Sequence, residues 1–129
     1  MPITYVIDEK LKLVRTEASG AMSGPRIVDH LNSLLRDDLV SHCEIIDIRG
    51  VTPPYLTSSQ IWHAAQAVLS IALKSTPAPR AIVVENDAVF GMSRMFSTLV
   101  EDTFPIRVYR DMEAAEHWLF EEHQPLPAK

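Results

Sequence analysis

Cysteine is nearly absent: Cys43 stands alone. No internal disulfide or thiolate cluster can form, and the composition fits a reducing compartment. Positive charge is also scarce. Twelve Lys and Arg face 17 Asp and Glu, a net charge of −5 with a pI near 5.4. That balance excludes the basic stripe a broad nucleic-acid surface needs, so no nucleic-acid partner is expected. The first residues, Met1-Pro2-Ile3-Thr4-Tyr5, carry neither a basic stretch nor a long apolar run, and no signal peptide is expected. The five histidines (His30, His42, His63, His117, His123) are scattered, with no HxH, HExxH or CxxC spacing, so no metal is expected. There is no GxSxG, P-loop or GxGxxG string, and Ser59 with His63 one helical turn later is a chance-level pair. Nothing points to a cofactor or to a catalytic apparatus, and the protein is read as a non-enzyme.

A chain of 129 residues with 47% hydrophobic and 22% charged residues suits one soluble domain, 1–129, able to bury a real core. Ile3 to Asp8 reads as a strand, Asp8-Glu9-Lys10 as a turn, and the alternation from Leu11 to Thr16 as a second strand, together an antiparallel hairpin. After a loop over residues 19–25, Ser23 caps a helix with Ile27, Val28, Leu31, Leu34 and Leu35 on one face. Cys43 to Arg49 is a short buried strand, and Cys43 packs there as a small hydrophobe. Three hydroxyls, Thr57, Ser58 and Ser59, precede a helix running to about Lys74. Arg80 to Glu85 is an almost continuous apolar run, as in a strand covered on both faces. Asn86-Asp87 caps a third helix, Ile106 to Arg110 alternates as a last strand, and Asp111 caps a final helix with Met112, Ala115, Trp118 and Leu119 on one side. The tail over about 124–129, with two prolines, is expected to fray. The order ββαβαβαβα implies an α/β domain with a mixed five-stranded sheet, about four helices and right-handed crossovers.

From Gly50 through Leu73 there is no Asp, Glu, Lys or Arg. The polar residues of the second helix, His63, Gln66, Ser70 and, just past this stretch, Lys74, occupy one narrow stripe. A helix resting on a sheet needs an apolar arc of only about 100°. Two readings follow: a helix flanked by neighbours on both sides, or one whose spare flank meets a second subunit, a nonpolar ligand or a membrane surface. A transmembrane span is not expected, because the segment is shorter than the ~20 mainly apolar residues needed. The next helix shares the apolar character, with Val89, Met92, Phe96, Leu99 and Val100 in one stripe and Phe90 and Met95 beside it. Gly91 reads as a hinge, a close backbone approach or the true start of that helix. The candidate ligand-binding residues are therefore Ile61, Trp62, Ala65, Val68, Leu69, Phe90, Met92, Met95 and Phe96.

Ligands of α/β sheets gather beyond the C-terminal ends of the parallel strands. Those ends carry Asp47, Arg49 and Glu85, with Arg94 on the helix that follows. The plain reading makes Asp47 a loop-anchoring acid paired with Arg49 or Arg94. An enzymatic reading needs all four residues in one enclosed cleft.

Several strings in order then carry a resemblance: Ile45-Ile46-Asp47-Ile48-Arg49-Gly50-Val51, Thr57-Ser58-Ser59, Arg80-Ala81-Ile82-Val83-Val84, Phe90-Gly91-Met92-Ser93-Arg94-Met95-Phe96, and Val108-Tyr109-Arg110-Asp111 with Glu113-Ala114-Ala115-Glu116-His117-Trp118-Leu119. Across roughly the whole chain this resembles the SpoIIAA-like proteins, related in fold to STAS domains and called STAS/SEC14-like. The resemblance implies a mixed sheet with packed helices. It also implies a carrier of a nonpolar ligand whose middle helices swing apart and associate with a membrane surface, and hence a cytoplasmic or membrane-peripheral location. The alternative it implies is a protein-interaction module acting through a homodimer or partner interface. In STAS regulators a serine at the corresponding helix start, within Asp-Ser-x-Gly-Leu, is phosphorylated. Here the counterpart is Thr57-Ser58-Ser59-Gln60-Ile61, which lacks the Asp and the Gly, and Ser58 is the candidate for modification.

Overall fold

The computed structural model describes residues 3–123; the tail expected to fray lies outside them. Five strands form one sheet in the order β1-β2-β3-β4-β5: β1 Thr4–Asp8, β2 Leu13–Gly20, β3 Cys43–Val51, β4 Arg80–Val83 and β5 Ile106–Tyr109. β1 pairs antiparallel with β2, and every later neighbour is parallel. The helices are α1 Gly24–Arg36, α2 Ser58–Ala72, α3 Asp87–Val100 and α4 Met112–His117, the last continued by a wide π-helical turn over Trp118–His123. This is the mixed five-stranded α/β sheet that the element order implies.

The helix starts are set by short polar side chains. Ser23, Asn86 and Asp111 each accept a hydrogen bond from a backbone N–H in the first turn of α1, α3 and α4. At α2, Thr57 Oγ1 accepts from the Gln60 N–H while Gln60 Oε1 accepts from the Thr57 N–H, a reciprocal capping box. Boundaries differ from the sequence reading by one or two residues at several strand ends, and most at β2. β2 begins at Leu13 rather than Leu11 and continues through Gly20, where a loop is expected, because parallel pairing with β3 extends past a register shift at Glu17/Ser19. There Ser19 lies opposite Gly50, and a Cβ on Gly50 would stand 3.1 Å from that of Ser19, a tight contact that a side chain could make only with a small shift of Ser19. α2 ends at Ala72.

Strand alternation divides the interior into two cores. Val14, Ala18, Ile48, Ile82 and Ile106 face α1, α2 and α3. Leu13, Cys43, Ile45, Ala81 and Val83 face Ala115, Trp118 and Leu119 on the other side. All four residues of β4 are buried, as its apolar run requires. α2 packs between α1 and α3, so its flanks are sealed by its own chain: Ile61, Ala64, Ala65, Val68 and Ala72 are all buried. Of the two readings of this helix, the packing is that of a helix flanked by neighbours on both sides. The remaining exposed apolar side chains of the segment are Trp62 (48%) and Leu73 (82%).

Gly91 is neither the start of the helix nor a point of close backbone approach. It lies inside α3, is exposed, and a Cβ there would meet nothing within 4 Å. Replacing it relieves backbone entropy at no steric cost. Gly91→Ala is expected to raise the unfolding free energy by about 0.5–1 kcal/mol in urea titrations.

Candidate functional site

A cavity of about 110 Å³ lies between the helix layer and the sheet. From the sheet it takes Ala18 of β2, Ile46 and Ile48 of β3, and Ile82 of β4. The helices supply Ile27 and His30 of α1, Ile61 of α2, and Met92, Ser93 and Phe96 of α3; Ile3, Met22 and Leu56 complete the lining. Its exposed lining surface is apolar. A second cavity of about 70 Å³ shares Ile27, His30, Ile46 and Phe96 with the first. It continues toward the other end of the strands past Leu31, Leu34, Val68, Val100, Phe104 and Ile106, and is bordered by Glu44 and Arg80.

The void has a sequence origin. The three helices leave small or flexible residues over the middle of the sheet, notably Ala18 beneath and Met92 and Ser93 above. Interiors normally fill such space, because voids forfeit dispersion contacts. Apolar cavities of this order stay dry and accept small nonpolar molecules.

Beside the second cavity sits a buried polar cluster. Glu44 and Arg80 are direct neighbours on β3 and β4, and are 1% and 3% exposed. Arg80 Nε lies 3.2 Å from Glu44 Oε1. Glu44 Oε2 accepts from Thr16 Oγ1 of β2 at 2.5 Å and meets His30 Nε2 of α1 at 2.7 Å. Burial alone pushes the Glu44 carboxyl upward; the bond to His30, the charge of Arg80 and the Thr16 hydroxyl outweigh it and hold the carboxyl below its ordinary value near 4.5. Burial draws the Arg80 guanidinium down, and Glu44 opposes the shift. Arg80 Nη1 donates to the carbonyls of His42 at 2.9 Å and Ala78 at 2.6 Å. Nη2 is buried without a partner. A guanidinium has five N–H groups, so the two on Nη2 are unspent, and a buried donor left so costs about 1–3 kcal/mol.

The expected ligand residues separate into groups. Ile61, Met92 and Phe96 line the first cavity, and Val68 and Phe96 the second. Ala65 is buried core outside both linings, and Leu69, Phe90 and Met95 are partly buried. Phe90 lies under Arg94 and Arg110 at 5.9 and 4.5 Å from its ring centre. Trp62 sits on the outer side of α2 against His63. The polar strand-end residues form no enclosed cleft. Asp47 pairs with Arg49, Nη2 to Oδ2 at 2.9 Å, and that bond keeps the Asp47 carboxyl below its usual range. Glu85 and Arg94 are exposed. Ser58 is exposed at the first position of α2, with the cap supplied by Thr57. Burial raises the Cys43 thiol, which disfavours the thiolate.

Thr16, His30, Glu44 and Arg80 were not among the candidates. Their signal is a charged residue inside an apolar strand, Cys43-Glu44-Ile45-Ile46, and an arginine opening Arg80-Ala81-Ile82-Val83. Among the described residues no three His, Cys, Asp or Glu side chains group as a metal site, and no helix is long and apolar enough to cross a membrane.

A parallel-rich sheet with three crossover helices on one face and a short helix on the other defines a layered α/β domain. It is the SpoIIAA-like fold. The chain is similar to an uncharacterised protein of the DUF3478 family with a SpoIIAA-like fold from Shewanella loihica PV-4, with a TM-score of 0.55, 19% identity, and coverage of 92% of this chain and 94% of that one. No protein-family model and no curated protein matches the chain.

The lowered Glu44 carboxyl stabilises the fold fully above its unfolded value, near 4.5. That contribution is lost as pH falls from there through the lower native value. Urea unfolding at stepped pH is expected to show stability falling below about pH 4.5, with a shallower fall in Glu44→Gln. At pH 7, Glu44→Ala is expected to cost about 3–5 kcal/mol, because it strands a buried guanidinium.

Proposed function

We propose that the protein is a non-enzymatic binding protein that holds a small nonpolar molecule between its sheet and the α1–α3 layer. The observation that carries this reading is the pair of adjoining cavities, about 110 and 70 Å³, with an apolar lining drawn from β2, β3, β4 and all three helices. In the present packing the space suits a single ring or a short chain. A longer acyl or isoprenoid chain requires α2 and α3, which are in contact, to separate; among the described residues no ion pair joins them. Transfer of roughly 100 Å² of ligand surface from water contributes about 2.5 kcal/mol before association costs, which supports weak, reversible carriage.

A second reading, a homodimer through the outer side of α2, draws on Trp62 and Leu73. They are eleven residues apart, close to three helical turns, and so share one face. Val68 is buried and takes no part in such an interface.

Three measurements separate these readings. Titration with benzene, followed by methyl and aromatic NMR, is expected to give saturable shifts at Ile27, Ile46, Met92 and Phe96, and Ala18→Leu is expected to abolish them. Native mass spectrometry of the freshly purified protein adds whether a nonpolar molecule is already bound. Unsaturable or scattered shifts, with no adduct, would remove the binding proposal. For the second reading, light scattering is expected to show a concentration-dependent dimer that Trp62→Glu dissociates; a monomer at all concentrations rejects it.

A further inference from the structure

Resting on the cavity reading above, we infer that Arg80 is a headgroup site, and that the bound molecule carries one neutral hydrogen-bond acceptor, a carbonyl oxygen, at the end directed toward β4. Arg80 borders the second cavity and is 3% exposed. Its Nε and Nη1 are held by Glu44, His42 and Ala78, so the side chain cannot easily swing to find another partner. Nη2 is buried without a partner, on a side chain that borders the cavity. A native interior rarely leaves such a donor without an acceptor. Much of the lining there is hydrocarbon from Leu31, Leu34, Val68, Val100 and Ile106 and the Phe104 ring, over which the guanidinium lies at 5.6 Å. The other polar side chains that border it, Glu44 and His30, are engaged with each other, and Glu44 also with Thr16 and Arg80.

Charge decides which acceptor fits. Glu44 already balances the Arg80 cation at 3.2 Å. A ligand carboxylate would bring a second negative charge beside the buried Glu44 carboxylate, which is costly. A ketone, aldehyde, ester or amide oxygen supplies the missing acceptor without that charge. The other end of the slot, lined by Met22, Leu56, Ile61 and Met92, then takes the apolar body. The site thus reads polarity at one end and bulk at the other.

The test uses three ring compounds of matched shape: cyclohexane, cyclohexanone and cyclohexanecarboxylate. Cyclohexanone is expected to bind with its carbonyl stretch moved to lower wavenumber in difference infrared spectra, and to move the Arg80 side-chain nitrogen resonances. Cyclohexane is expected to shift the cavity methyl groups but not those resonances, and the carboxylate to bind more weakly than the ketone. Arg80→Lys is expected to weaken cyclohexanone about tenfold, the worth of one hydrogen bond, while leaving cyclohexane within about twofold. If that variant does not fold, the infrared and nitrogen spectra of the native protein still decide. Ketone binding with an unshifted carbonyl and unmoved Arg80 nitrogens overturns the headgroup role while the cavity reading stands. Tighter binding of the carboxylate overturns the neutral-acceptor assignment. Failure of all three compounds to bind overturns the cavity reading itself.

Discussion

Glu44 and Arg80 meet side by side on adjacent parallel strands, with almost no solvent reaching either. This contact governs the helix-covered side of the sheet. An unpaired charge there would be prohibitively expensive, so the pair holds only with the surroundings that complete it. Thr16 reaches it from β2 and His30 from α1, while the carbonyls of His42 and Ala78 close around Nη1. Four elements are thereby tied to one point: β2, β3, β4 and α1. A geometry specified by directional bonds also fixes where the helix layer stands above the sheet. Such a cluster contributes less to net stability than to the uniqueness of the arrangement, since an apolar replacement of similar volume is often as stable.

The cavity follows from the same arrangement. With α1 held to the sheet through His30, and α2 wedged between α1 and α3, the helix layer does not settle fully onto the small side chains beneath it. Ala18 and Ser93 leave space that larger residues would fill. The two cavities meet at Ile27, His30, Ile46 and Phe96, so the polar cluster borders the void directly. An apolar slot ending at a guanidinium with unspent donors is a chemically asymmetric site. On the opposite face of the sheet, Ala115, Trp118 and Leu119 pack against Leu13, Ile45 and Val83.

The element order was legible because each signal is local. A capping side chain bonds a backbone N–H three residues away, as Ser23, Asn86 and Asp111 do. An apolar run such as Ala81-Ile82-Val83-Val84 announces a strand covered twice. The uncharged segment from Gly50 to Leu73 allowed two readings, and only the packing chose between them: α1 and α3 lie against both flanks of α2, with Trp62 and Leu73 left outside. Of the expected site residues, Ile61, Val68, Met92 and Phe96 reach the cavities. The others share the same helices but point elsewhere, since helical periodicity reports an apolar face without saying which part of it meets a void. At the strand ends Asp47 drew attention, while Glu44, three residues earlier and on the opposite face of β3, is the acid that is deeply buried.

The amino-acid sequence by itself determined the strands, the helices, their caps and their alternation, because those depend on interactions spanning only a few residues. Tertiary structure alone decided that Glu44 and Arg80, thirty-six positions apart, become register partners, and that side chains from six elements leave a slot between them. Both outcomes depend on how strands align and how closely helices approach, which are properties of distant segments in contact and leave no mark on any one of them.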